Sequence, residues 1–286
     1  MSTKGNRMLW PILKEKAKEE QLPLSTVVVE VLHLVGLDAL FACPESQTMC
    51  LQGGTGIHLL YGGYRYSEDL DFAGGRLDQS LAERLVARSQ SRIEKMAIQL
   101  LGRGRCEWRF PSPSTRRQVC VVWFGFQPDD QQQRFRVKME FAHYPIYESQ
   151  VLAVHSDLDV LGRRPLVNGL SAGELLAEKV AAVAGRSYVK GRDLFDLWYL
   201  SEVLGTSVEL PLVEKKFHDY HVAPPVSQLE QKLADYRTET LTAEMQRFLP
   251  ERYRRLLKEK GYEEIRQAAM RVVEPVIAAF SSRKRS

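Results

Sequence analysis

"LQGGTGIHLLYGGYRYSEDLDFAGG", residues 51–75, places Gly53-Gly54-Thr55 a short distance before Asp69-Leu70-Asp71. Successive side chains of a strand point to opposite faces, so Asp69 and Asp71 share one face while Leu70 and Phe72 share the other. Two like carboxylates two residues apart repel each other and gain nothing for stability. A hard divalent cation removes the conflict, because Mg2+ takes carboxylate oxygens and substrate phosphates together. The competing reading is an acidic strand edge facing water.

A third carboxylate lies further along. In RFRVKMEF, residues 134–141, Phe135, Val137, Met139 and Phe141 alternate with Arg136, Lys138 and Glu140. If this strand lies beside Asp69–Asp71, Glu140 joins the pair as a metal ligand or a base. Three converging carboxylates suit two-metal phosphoryl or nucleotidyl transfer, in which the metals hold the attacking and leaving oxygens. The plainer role for Glu140 is a cross-strand partner of a basic residue. Gly53 and Gly54 then gain a function. Glycines let backbone N–H groups approach phosphate oxygens, and the helix start that follows favours anions. The chain contains neither a P-loop nor a dinucleotide-binding glycine fingerprint.

Outward from this centre, Ser25–Phe41 has helical spacing, Met49–Gln52 reads as a buried strand, and Thr55–Tyr61 as a short helix ended by Gly62-Gly63. Glu68–Ala73 reads as a strand and Leu77–Leu101 as a long amphipathic helix. The period then becomes two over Cys106–Phe110, Gln118–Phe126 and Arg134–Tyr144. Beyond residue 160 the pattern is almost wholly helical. The expected architecture is α+β, with a core domain at 1–160 and an all-helical domain at 161–286.

The 286 residues are 44% hydrophobic, enough for one large or two modest domains. No apolar run approaches the ~20 residues of a membrane span, and the charged N-terminal stretch does not resemble a secretory leader. A cytoplasmic protein is expected, with Cys43, Cys50, Cys106 and Cys120 as reduced thiols rather than zinc ligands. The net charge of +4 is uneven: Glu251–Ser286 holds ten Lys/Arg against five Glu. A second basic zone runs from Arg103 through Arg116 and Arg117 to Lys138, interleaved with Trp108, Phe110, Trp123 and Phe124. Such zones can follow a phosphate backbone, or they can be solvated strand faces with core aromatics behind them.

In the helical half, Ser171-Ala-Gly-Glu174 is a capping box. Lys179 is a cation in a mostly apolar helix, suited to a triphosphate or to snorkelling at the surface. Asp193 and Asp196 face the same way on the next helix. One is expected to pair with Arg186 or Arg192, the other to approach the nucleotide or act as a base, and spacing does not choose between them.

GGTGIHLLYGGYRYSEDLDF resembles the first two motifs of the AbiEii-type nucleotidyltransferases, the toxin halves of bacterial toxin–antitoxin and abortive-infection systems. The matching residues are Gly53, Gly54, Thr55, Arg65, Ser67, Asp69 and Asp71. ELLAEKVAAVAGR (174–186) and GRDLFDLWYL (191–200) match the family's later lysine helix and Arg-Asp-x-x-Asp-Leu helix. Gly56 departs from the Ala or Ser common there. The resemblance implies a minimal DNA polymerase β-like core with a mixed sheet and flanking helices. It implies nucleotide binding by Gly53, Gly54, Thr55, Arg65, Ser67 and Lys179, and catalysis by Asp69, Asp71, Lys179, Asp193 and Asp196. Asp69, Asp71 and Glu140 would hold Mg2+ or Mn2+, with an NTP as substrate. An RNA acceptor follows, the 3′ end of tRNA among the candidates, as does a cognate antitoxin. The competing functions are transfer of NMP or phosphoryl to a protein side chain, and a catalytically idle module that binds RNA or an antitoxin.

Overall fold

The structure, a computed structural model, describes residues 9–110, 118–222, 226–260 and 262–282. The chain divides into two compact units, Met1–Leu170 and Ser171–Ser286. The first unit is built on a mixed seven-stranded sheet. Its strands are β1 (Cys50–Gln52), β2 (Asp69–Ala73), β3 (Gly104–Arg109), β4 (Val119–Pro128), β5 (Phe135–Ala142), β6 (Ser149–Ala153) and β7 (Leu166–Leu170), in the order β3-β4-β5-β2-β1-β7-β6. Four helices accompany it: α1 (Leu9–Glu19), α2 (Leu24–Leu40), α3 (Gly53–Tyr61) and α4 (Gln79–Leu101).

The alternation of β5 decides which sheet face is core. Phe135, Val137, Met139 and Phe141 are buried, while Arg136, Lys138 and Glu140 take the other face. In β2, Leu70 and Phe72 are buried on the core side, and Phe72 stacks on Phe141 with ring centroids 5.2 Å apart. α2 is buried along nearly its whole length, as its almost continuous Val/Leu run requires, and packs on β5 and α4. Asp78 caps α4 by accepting from the Leu81 N–H at 2.7 Å, worth about 1 kcal/mol to the helix. Leu85 and Ile93 lie in the buried stripe of α4, with Leu81, Met96 and Leu100 at its margin.

Three elements, α1, β6 and β7, escape the sequence reading. α1 is a helix whose Trp10 Nε1 donates to the Leu101 carbonyl at 2.9 Å. The strand β7 occupies the start of the stretch read as helical, pairing parallel to β1 and antiparallel to β6. Val151 on β6 and Leu166 on β7 are 63% and 67% exposed. Apolar side chains in water break the alternation that would have revealed these short strands.

The second unit holds α5 (Ala172–Gly185), α6 (Gly191–Trp198), α7 (Leu210–Asp219), α8 (Val226–Ala234), α9 (Thr238–Met245), α10 (Glu251–Lys260) and α11 (Glu263–Ser282). A π turn, Tyr199–Val203, extends α6. α11 packs on α8 and α6, and α5 packs on α7 and α6. Ser171 Oγ accepts from the Glu174 N–H at 3.0 Å and so opens α5 as its sequence predicts. Among the described residues no helix is long and apolar enough to cross a membrane.

Candidate active site

β2 and β5 run parallel, in a register that sets Asp69 opposite Lys138 and Asp71 opposite Glu140. The condition posed by the sequence is met: Asp69, Asp71 and Glu140 lie on one sheet face, away from the core. Lys138 stands among them, its Nζ 2.6 Å from Glu140 Oε1 and 3.4 Å from Asp69 Oδ2. These three side chains are half-buried, and such pairs contribute only about 0–1 kcal/mol. Stability therefore does not account for the grouping.

Burial raises the Asp69 carboxyl above its ordinary range, against the pull of Lys138 and with the help of Glu140. Burial also pulls the Lys138 ammonium down, but its hydrogen bond to Glu140 and the charge of Asp69 more than offset this and hold it above its usual value. The oxygen donors of Asp69, Asp71 and Glu140 suit a hard dication. Among the described residues no three His, Cys, Asp or Glu side chains are gathered as a ready metal cage. Lys138 supplies the positive charge between Asp69 and Glu140.

Gly53-Gly54-Thr55 stands beside Asp69 and Asp71 because all three residues answer to the strand and its approach. β1 pairs antiparallel with β2, with Gln52 opposite Asp71. Gly53 has φ +68°, and a Cβ there would lie 2.5 Å from Asp71 Oδ2. Both its backbone and the neighbouring carboxylate thus exclude a side chain. At Gly54 a Cβ would strike the guanidinium of Arg65, which is itself buried and donates to the Tyr66 carbonyl at 3.1 Å. Buried Thr55 donates its hydroxyl to the Asp69 main-chain carbonyl. That bond latches the first turn of α3 to β2 at the backbone of a candidate ligand. Ser67 is half-buried two residues before Asp69. Gly56 meets no such demand, since a methyl there would make only ordinary contact with the Leu51 carbonyl at 3.5 Å.

His58 anchors the other end of α3. Its Nε2 lies 3.1 Å from Glu30 Oε2, and its Nδ1 lies against the Gly63 carbonyl. Burial lowers the affinity of His58 for a proton, but the Glu30 charge outweighs it and holds the ring above its ordinary value. Buried His33, by contrast, is pulled down to about 4 by desolvation, against the Glu68 carbonyl it faces at 3.2 Å.

The remaining candidates gather in the second unit. Lys179 on α5 reaches Asp196 Oδ2 at 2.7 Å and Asp193 Oδ1 at 3.3 Å. Arg186 pairs with the second oxygen of Asp193. Arg186 is thus the arginine partner, while Arg192 lies over the Phe248 ring at 5.1 Å. Asp193 and Asp196 are both buried, and the geometry casts them as the carboxylates that hold Lys179 in place. A second cluster on α5 went unnoticed in the sequence. Lys216 of α7, fully buried, lies 2.5 Å from Glu174 Oε1 and 3.2 Å from Glu178 Oε1, and Tyr220 donates to Glu178 at 2.9 Å. The available signal was Glu174 and Glu178 four apart, on one face of a mostly apolar helix. Arg116, Arg117 and the terminal Arg283, Lys284 and Arg285 lie outside the described residues.

A family model described as "Nucleotidyl transferase AbiEii toxin, Type IV TA system" matches residues 37–281. Among curated proteins, no relative matches. Two crystal structures share the fold. One is of an H. pylori protein described as a nucleotidyltransferase, with TM-score 0.54 and 17% identity over 91% of this chain and 98% of that one. The other is JHP933 from Helicobacter pylori, with TM-score 0.53 and 19% identity over 92% of this chain and 98% of that one.

Proposed function

The chain belongs to the AbiEii nucleotidyl transferase toxin family, and from that premise we propose that it transfers NMP from an NTP to a hydroxyl at the end of an RNA. The observation that carries this reading is the Asp69–Asp71–Glu140 face, closed on one side by a glycine turn shaped around Asp71. In the reaction an acceptor oxygen bonds to the α-phosphorus, the bond from that phosphorus to the bridging oxygen breaks, and pyrophosphate departs. The hydroxyl proton leaves with a carboxylate or water as acceptor.

Asp69, Asp71 and Glu140 would hold Mg2+ or Mn2+, which when bound supplies charge neutralisation for both oxygens of the displacement. The chain's own residues orient the rest. The Gly53–Thr55 turn offers backbone N–H groups to phosphate oxygens at the start of α3. Arg65, packed on Gly54, fixes that turn from behind. Lys179, held by Asp193 and Asp196 within the second unit, is the lysine to which the family resemblance would give the role of a point charge for a triphosphate. The tRNA 3′ end is the proposed acceptor class. The family's toxin–antitoxin setting supports a cognate antitoxin as partner.

The test is incubation with each α-labelled NTP, total cellular RNA and Mg2+, followed by separation of protein from RNA. Label is expected in RNA and is expected to vanish with a chelator. Label on protein alone, or on neither polymer, would overturn the reading.

Lys179→Ala is expected to raise the NTP KM or lower kcat while leaving acceptor affinity within about twofold. It is also expected to lower the melting temperature, because Asp193 and Asp196 lose a buried partner. The kinetics are therefore read at a temperature where circular dichroism shows the variant folded. Unchanged kcat and KM for every NTP would reduce Lys179 to a structural ion cluster.

A further inference from the structure

The carboxylate face does not end at β5. Across the sheet, Asp69 lies opposite Lys138, Lys138 opposite Trp123 of β4, and Trp123 opposite Arg109 of β3. One row thus crosses four strands on the side away from the core. Neighbouring strands lie ~4.8 Å apart, so Trp123 stands roughly 10 Å from Asp69. Val122 and Phe124 on either side of Trp123 are fully buried, whereas Trp123 is 36% exposed. The indole therefore faces solvent on the same surface as the candidate ligands.

Cations surround it. Arg109 and Arg136 are exposed on this face, and Lys138 lies between Trp123 and the carboxylates. The acid nearest Trp123 on β3, Glu107, is taken by Arg134. Arg134 reaches it across Gly125, where a Cβ would lie 2.9 Å from the guanidinium Nε. A side chain at Gly125 would displace that arginine. The result is a shallow cleft of about 210 Å³ bordered by Glu107, Arg109, Trp123, Arg134 and Arg136. Arg109 of β3 and Arg136 of β5 bring positive charge beside Trp123, while Asp69 and Asp71 bring negative charge on β2.

We infer that this face seats the acceptor: a single-stranded polynucleotide end with an unpaired base stacked on Trp123 and phosphates on Arg109 and Arg136, its terminus directed to Asp69 and Asp71. A ring exposed on a flat sheet takes a base only when that base is unpaired, and stacking tolerates any base because each has a π face. Arginine rows beside the ring supply the phosphate contacts, and the like-charged carboxylates repel the backbone except where its end must arrive. The inference rests on the polynucleotide acceptor proposed above, but its test uses neither NTP nor metal.

The experiment measures binding of a short single-stranded RNA to the full chain by tryptophan fluorescence and by affinity at two salt concentrations. Trp123→Thr, which keeps a strand-forming residue, is expected to weaken binding about fivefold or more and to abolish the fluorescence change. Trp123→Phe is expected to restore most of the affinity. Arg109→Ala with Arg136→Ala is expected to lower the slope of log K against log salt by about 1.4, at ~0.7 per phosphate contact on a single strand. Duplex RNA of the same sequence is expected to bind more weakly, and single-stranded DNA tells whether the 2′-hydroxyl matters. Equal affinity of wild type and the folded Trp123→Thr chain, or equal losses for duplex and single strand, would overturn the inference. Binding that depends on Trp123 without NMP transfer would sustain it and overturn the catalytic reading. NMP transfer to RNA that proceeds unchanged in the folded Trp123→Thr chain would do the reverse.

Discussion

Asp71→Ala and Asp69→Ala are each expected to reduce nucleotidyl transfer by about 10³-fold or more while the chain remains folded. A bound metal contributes several kcal/mol to such a transition state, and each 1.36 kcal/mol is a factor of ten. The fold survives because the core side of β2 is Leu70 and Phe72, which neither substitution touches. The Thr55 latch also survives, since it ends on the Asp69 main-chain carbonyl rather than on its carboxylate.

Asp69 offers a second readout. Its carboxyl is held above the ordinary value of 3.8, chiefly by burial, so the folded state binds the proton more tightly than the unfolded one. Its ionisation therefore costs stability as pH rises from 3.8 through the folded value, and below 3.8 that cost is absent. In metal-free buffer Asp69→Asn is accordingly expected to melt slightly higher than wild type at pH 7, the gain fading as pH falls toward 3.8. Transfer assays in Mg2+ and Mn2+ with parallel melting curves check both parts. Wild-type turnover by either alanine variant would sink the metal assignment.

The largest loss of stability is expected at Lys216. Its ammonium is fully buried and serves Glu174 and Glu178 together. Lys216→Met fills the space but leaves two carboxylates in a dry core, a change that costs about 3–5 kcal/mol. Burial already pushes the Glu178 carboxyl up, despite Lys216 and the Tyr220 hydroxyl. Without the lysine that rise can only grow. A carboxyl with a raised folded pKa favours folding at low pH, so the deficit of the variant should shrink as pH falls toward the ordinary 4.5. Denaturant melts at pH 7 and pH 5 measure this. A variant as stable as wild type at pH 7 would show that the cluster contributes nothing.

Much of the first unit was legible because its strands obey strict alternation. Phe135 to Phe141 and Leu70 with Phe72 declare their core face, and the β2–β5 pairing then sets Asp71 opposite Glu140. What no pattern could declare was Lys138 as the counterion of Asp69, because strand pairing between distant segments is set by tertiary packing. The reason for Gly53 was equally hidden. A glycine pair reads as a turn, while the demand comes from an Asp71 oxygen 18 positions later. In the second unit, Lys179 stood out as a lone cation in an apolar helix, yet its two acids on α6 show that its charge is shared. Lys216 gave no signal, since a lysine in KKFHDY reads as solvated surface.

The parallel pairing of β2 with β5 has a consequence for the order in which the chain acquires its structure. Asp71 and Glu140 are neighbours across the sheet, yet 69 residues separate them along the chain. β4 and β5 pair antiparallel through a short connection and can close locally, whereas β2 must wait for a strand made long after it. Closing so long a loop is entropically costly, and such distant parallel pairings form late. A ribosome-bound or truncated chain ending before residue 135 possesses Asp69 and Asp71 but no third carboxylate and no Lys138. The carboxylate face is therefore completed in one late step, so fragments that stop short of β5 lack it.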